Sequence, residues 1–256
     1  MSGFAALILA GSRAGVQDPV AAYAGAPHKA LIQLGGRSLL SRVAGALRDA
    51  GAVRIAVVSS HPQVRAEAER LGVEVLYEAA GPSLSVKVAG DHLGTPLLVT
   101  TADHALLEAA WIERFVADVP ADVDVAALVA ARATVEAAAP DTQRTWLKLA
   151  DGQWSGCNLF YLATPRALQV VDLWRRVEAE RKRPWRQAWI LGLGMLLRYV
   201  TGRLSLAEAA GRLGALAGVK AAIVQTPFGL ASVDVDKPAD LDLVRRIFGD
   251  ADSSGE

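Results

Sequence analysis

Apolar positions follow two rhythms along the first half of the chain. Mostly apolar runs at Ala5–Leu9, Arg54–Ser59, Val73–Tyr77, Pro96–Thr101 and Val123–Ala131 have the length of buried strands. Between them the spacing becomes helical. Leu39, Leu40, Val43 and Leu47 fall on one helical face, Pro62 suits a first helical turn, and Ser83–Leu93 and Glu108–Asp118 read as helices. Strand and helix in alternation predict an α/β domain, a mainly parallel sheet covered by helices in three layers.

The rhythm changes after Thr134. Ala133–Thr142 reads as a loop, and Trp146–Leu149 and Cys157–Leu162 as short strands around the turn signal Asp151-Gly152. Pro165 opens a helical block that ends near Gly218. Ala221–Gln225 and Ala231–Val235 return as strands, and Pro238 opens a last helix through Phe248. The expected organisation is one domain over 1–250, a helical insertion at about 165–218, and a disordered polar tail at 251–256.

Composition narrows the function classes. A chain of 256 residues that is 52% apolar and 21% charged can bury a full core. Its formal net charge of zero gives no global basic field for nucleic acid. A single cysteine, Cys157, allows no internal disulfide and fits a reducing, cytoplasmic setting. The apolar run Phe4–Ala10 lacks a basic leader and reads as a strand, not a signal peptide. Ala188–Leu197 is about half the length that spans a bilayer.

Candidate chemistry sits where strands end. The first strand runs into Ala10, Gly11, Ser12 and Arg13, and a second cation follows at Lys29. A small-residue turn with a fixed guanidinium and a returning lysine suits a polyphosphate. Asp103 follows the strand that ends at Thr101. Asp234 and Asp236 precede the last helix, and at strand spacing they would point the same way. Phosphate donors early and carboxylates late suggest a nucleotide with a divalent metal.

Four blocks in this order resemble the MobA-like nucleotidyltransferase family. They are Leu9-Ala10-Gly11-Ser12-Arg13, then His28-Lys29-Ala30-Leu31 with Gly35-Gly36-Arg37, then Thr101-Ala102-Asp103, and last Asp234 through Leu241. The resemblance implies a Rossmann-like sheet of the GT-A type, with relatives acting on molybdopterin, isoprenoid precursors and sugar phosphates. It implies that Ala10, Gly11, Ser12, Arg13 and Lys29 hold the triphosphate. It implies that Asp103 and Asp236, with Asp234 the second choice, hold Mg²⁺. Ser83, Ser85 and Lys87 fall where family members contact the base, and Arg144 and Asn158 where the acceptor would sit. The sequence departs from the family in its compressed turn, in His28 where proline is common, and in His104-Ala105 after the metal acid.

The expected activity is Mg²⁺-dependent transfer of a nucleoside monophosphate from an NTP, CTP or GTP, to a small phosphorylated acceptor, with pyrophosphate released. Arg13, Lys29 and Asp103 would carry it. Each residue also has a plain structural reading. Asp103 or Asp236 could cap a helix, Ser83 or Ser85 could cap the helix after Pro82, and Arg144 could be a solvated loop arginine. A glycosyltransferase on the same sheet would want an Asp-x-Asp, and Thr101-Ala102-Asp103 lacks the first acid. A nucleotide-binding regulator without catalysis is the other alternative. Tryptophans and basic residues across 174–199 border a short apolar stretch. That pattern fits either a buried or dimer-forming helix or a peripheral contact with anionic lipid, the acceptor then being a lipid head group.

Overall fold

The computed structural model describes residues 3–11, 17–179 and 192–253. Strand β1 (Phe4–Leu9) lies at the centre of the sheet. It pairs in parallel with β4 (Ala52–Val58) on one side and β6 (Leu97–Thr101) on the other. β5 (Glu74–Leu76) extends the sheet past β4. Past β6 comes β9 (Gly152–Leu162), antiparallel both to β6 and to β7 (Val125–Ala131). β10 (Ala221–Thr226) closes that side parallel to β7, and the short β8 (Leu147–Leu149) pairs with β9. The order is β10-β7-β9-β6-β1-β4-β5. A small hairpin of β2 (Gln33–Leu34) and β3 (Arg37–Ser38) stands apart.

Alternation along β1 explains the layers. Ala6 and Ile8 pack on one face with α2 (Leu39–Asp49), α3 (Pro62–Arg70) and α5 (Ala109–Asp118). Ala5 and Leu7 pack on the other with α4 (Pro82–Leu93), the start of α7 (Leu168–Ala179) and the end of α9 (Leu206–Ala217). Leu7 and Ile8 are completely buried on opposite faces. Each such burial contributes about 1.5–3 kcal/mol, which is why the run reads as continuously apolar. The α/β, three-layer, mostly parallel architecture is the one expected from the sequence.

Several elements differ from the sequence reading. Ala133–Thr142 is not a loop from its start, because α6 (Arg132–Ala138) occupies most of it. Its alanines favour helix, Arg132 pairs with Glu136 one turn on at 2.6 Å, and Val135 is its buried residue. One buried position leaves no apolar period to read. Ala231–Val235 is not a strand. A 3-10 turn (Gly229–Ser232) leads into an extended strap outside the sheet. Val233 and Val235 are buried against α10 (Pro238–Ser253) and its neighbours, which imitates a strand's alternation. α10 itself runs past Phe248 to Ser253. A short α1 (Pro19–Tyr23), capped by Asp18, carries too few apolar positions to show in the pattern.

In the expected insertion, α7 is followed by α8 (Leu193–Val200) and α9. Residues 180–191, including Trp185 and Trp189, lie outside the described residues. α8 exposes Leu197 and Val200. Among the described residues, no helix is long and apolar enough to cross a membrane.

Candidate active site

The chain leaves β1 to β4 and β5 on one side, then returns to β6 on the other. That reversal opens a crevice at the carboxyl ends of β1 and β6, the usual ligand position in such sheets. Ala10 and Gly11 lie beyond β1 and Asp103 beyond β6. The Ala102 N–H donates to the Leu9 carbonyl at 3.0 Å, which ties the two exits together. A cleft of about 1100 Å³ opens there, lined by Gly11, Lys29, Gly81, Asp103, Arg175 and Asp236 among others. A Cβ on Gly11 would meet the Glu78 carboxylate at 3.4 Å, so glycine leaves that wall open. Ser12 and Arg13 lie outside the described residues.

Lys29 is presented by a 3-10 turn (Lys29–Leu31). His28 Nδ1 caps it, accepting the Ala30 N–H at 3.1 Å. Proline, common in the family at this position, has no such acceptor. Burial pushes the His28 pKa down to about 4, helped by neighbouring His61, so its ring stays a neutral acceptor. Lys29 Nζ stands 2.6 Å from Asp103 Oδ2 and 3.4 Å from Asp236 Oδ1. Burial alone would lower the Lys29 pKa, but Asp103 and then Asp236 outweigh it, and the net shift is upward. The ammonium stays charged.

Asp103 is 9% exposed, and its Oδ1 is buried without a hydrogen-bond partner among the described residues. An orphaned carboxylate oxygen costs free energy unless something meets it. A divalent cation fits. Lys29 already places positive charge between these two acids, and Mg²⁺ uses only one or two protein carboxylates. Among the described residues, no three His, Cys, Asp or Glu side chains form a metal cluster. Asp103 and Asp236, both paired with Lys29, are the residues that could hold such an ion. Asp236 is not a cap. Asp240 Oδ2 accepts the N–H groups of Asp236 and Lys237 at 3.1 and 2.8 Å, which leaves the exposed Asp236 carboxylate to Lys29.

Asp234 has different partners. It is buried, and its two oxygens take Arg144 Nη2 and Asn158 Nδ2. Burial raises its pKa against the pull of Arg144, with Asp236 and Asp103 adding to the rise. Asp234 and Asp236 sit on a strap outside the sheet, so strand alternation does not govern them, and they take different partners. Arg144 and Asn158 are brought together on Asp234. Arg144 is not a solvated loop residue: its side chain is 10% exposed, and its Nε is buried without a partner. Asn158 has a φ of +49° beside a register shift between β7 and β9. Left-handed backbone at a non-glycine residue is uncommon and concentrates at working sites.

Other candidates have structural duties. Ser85 lines the cleft, and its Oγ also accepts the Ala79 N–H and donates to the Gly81 carbonyl, both at 3.0 Å, tying down the loop before α4. Ser83 is buried against the neighbouring apolar groove and not at the cleft. Lys87 pairs with Asp172 of α7 at 2.8 Å. Burial pushes the Cys157 thiol up to about 12, so it is not a nucleophile. His104 is fully buried and held neutral, its pKa pushed down to about 4 by burial. Sequence reasoning missed Glu78 and Asp18, which also line the cleft. Each is a single acid without a flanking motif.

Residues 6–181 match the family described as the MobA-like NTP transferase domain. A hypothetical transferase from Thermus thermophilus is 31% identical with a TM-score of 0.79, covering 93% of this chain and 99% of that one. A nucleotidyl transferase from Methanothermobacter thermautotroptrophicus is 19% identical with a TM-score of 0.57, covering 96% and 98%. A CTP:phosphocholine cytidylyltransferase from Streptococcus pneumoniae is 14% identical with a TM-score of 0.56, covering 95% and 98%. At those last two identities the likeness is one of fold. Comparison with curated proteins found no match.

Proposed function

We propose, since this chain belongs to the MobA-like NTP transferase family, that it transfers a nucleoside monophosphate from CTP or GTP to a small phosphorylated acceptor. An oxygen of the acceptor phosphate forms a bond to the α-phosphorus. The bond from that phosphorus to the α,β-bridging oxygen breaks, and its electron pair leaves on pyrophosphate. The acceptor phosphate is ionised near neutral pH, so no general base is required. Positioning and electrostatics carry the rate instead.

The supporting observation is Lys29, held between Asp103 and Asp236 at the crevice between β1 and β6. Mg²⁺, held by Asp103 and Asp236, would neutralise charge on the nucleotide phosphates. Lys29 would supply a positive charge to the nucleotide phosphates. Arg13 would join it as a planar donor to phosphate oxygens. Arg144 and Asn158 would hold the acceptor phosphate.

The test is a thermal-shift screen of four NTPs with and without Mg²⁺, paired with pyrophosphate detection. One NTP should raise the melting temperature only with Mg²⁺ present, and Asp103→Ala should abolish that shift. Release of nucleoside diphosphate from an added nucleotide-diphospho-sugar, with no pyrophosphate from any NTP, would mean glycosyl transfer. No shift with any NTP would end the transferase reading.

A further inference from the structure

Among the described residues, the face of the sheet that carries α4, α7 and α9 is not fully covered. Strand β9 lies between β6 and β7, inside the sheet. Its Phe160 is nevertheless 43% exposed, and Trp174 of α7 across the gap is 55% exposed. Sheet interiors of this kind are normally sealed by helices. Here a groove of about 260 Å³ remains, walled by Val99, Ala127, Phe160 and Ile223 below and by Val86 and Leu213 above.

Its place matters more than its size. Leu9, Pro82 and Thr101 line both this groove and the nucleotide cleft, so the two share a wall. Asn158 also lines it, and the same Asn158 side chain meets Asp234 beside Arg144. The groove therefore starts where an acceptor phosphate would be held and runs away from it between apolar side chains. Whole small-molecule sites usually measure about 300–1,000 Å³, so this volume suits one part of a ligand. Away from Ser83, Thr100, Thr101 and Asn158, which also line the groove, a sugar hydroxyl would lose its water without finding a partner.

We propose that the groove takes the hydrocarbon part of the acceptor, which is then a phosphate monoester bearing an apolar chain. This rests on the transferase reading above for the phosphate end, while the apolar end is read from the groove alone. Each methylene buried contributes about fourfold in affinity.

The experiment titrates octyl phosphate, below its micelle concentration, and ethyl phosphate into the full-length protein by calorimetry. Octyl phosphate should bind at least about a hundredfold more tightly, since it can bury several more methylenes. Ala127→Phe, which fills the groove, should erase most of that preference while the Mg²⁺·NTP thermal shift persists. Ala127→Ser, nearly the same size but polar, should weaken octyl phosphate several-fold and serves if the larger side chain disturbs folding. Equal binding of the two esters, or a preference that both variants retain, overturns the proposal. So does a concentration-dependent dimer that Ala127→Phe abolishes, because the groove would then belong to a second copy of the chain. Octyl phosphate binding without any NTP shift would remove the nucleotide reading and the acceptor role with it, while the apolar phosphate site itself remained.

Discussion

A lysine that touches two carboxylates is usually read as a structural ion pair. Lys29 differs in what surrounds it. Asp103 keeps one oxygen buried and, among the described residues, unpartnered, and Asp236 is largely exposed, with 59% of its side chain accessible. If a divalent ion binds these two acids as proposed above, the ammonium competes with it for the same charge. Lys29→Ala should therefore do two opposite things. It should lower kcat by about 10²–10³, the usual cost of losing one transition-state charge contact. It should also lower the Mg²⁺ concentration needed for half-maximal rate, because a competing cation has gone. Pyrophosphate release measured against Mg²⁺ at saturating NTP reads both effects. A higher Mg²⁺ requirement would show that Lys29 does not compete for that position.

Elements decide where these residues meet, and one glycine matters most for that. A Cβ on Gly229 would come within 2.2 Å of the Thr134 carbonyl oxygen and 2.8 Å of Ala138 Cβ. Close approach of the 3-10 turn to α6 thus sets the start of the strap carrying Asp234 and Asp236. Val235 N–H then donates to the Asp103 carbonyl at 3.1 Å, which fixes the strap against the exit of β6. Gly229→Ala should cost about 1–3 kcal/mol through overpacking and weaken Mg²⁺-dependent NTP binding as well. Urea unfolding and thermal shift on the same variant check the two effects, and unchanged nucleotide binding would show that the strap tolerates the shift. This dependence was not legible in the sequence. Asp236 is singled out in the sequence by the family resemblance ahead of a proline-led helix and Asp103 by the exit of a strand, and the fold places both on Lys29. The turn, the strap and α6 were misread, because the buried valines of the strap imitate a strand and alanine-rich α6 has one buried anchor. Arg144 became interpretable only when folding placed it on Asp234, far away in sequence.

At the scale of the whole molecule, alternation of strands and helices showed the class of fold but not the neighbours of each strand. Nothing in the run Gly152–Leu162 says that it enters antiparallel between β6 and β7, yet that insertion puts Asn158 beside the acidic strap. The folded chain also binds protons differently from the unfolded one. His28 and His104 are both pushed down to about 4, chiefly by burial, from the ordinary histidine value of 6.5. Below that ordinary value the unfolded chain takes up protons that the folded chain refuses. Stability is then fully present above about pH 6.5 and declines as pH falls toward the folded value, by up to about 1.4 kcal/mol per pH unit for each histidine. His28→Asn is the informative variant. Asparagine can still cap the turn that presents Lys29, but it does not titrate. Between pH 6.5 and 5, above the range where most carboxylates protonate, the loss of stability should be shallower in this variant than in the natural chain. Urea unfolding at pH 7, 6 and 5 measures it. Parallel declines would mean that His28 accepts its proton in the folded protein, and that the cap on Lys29 does not depend on a neutral ring.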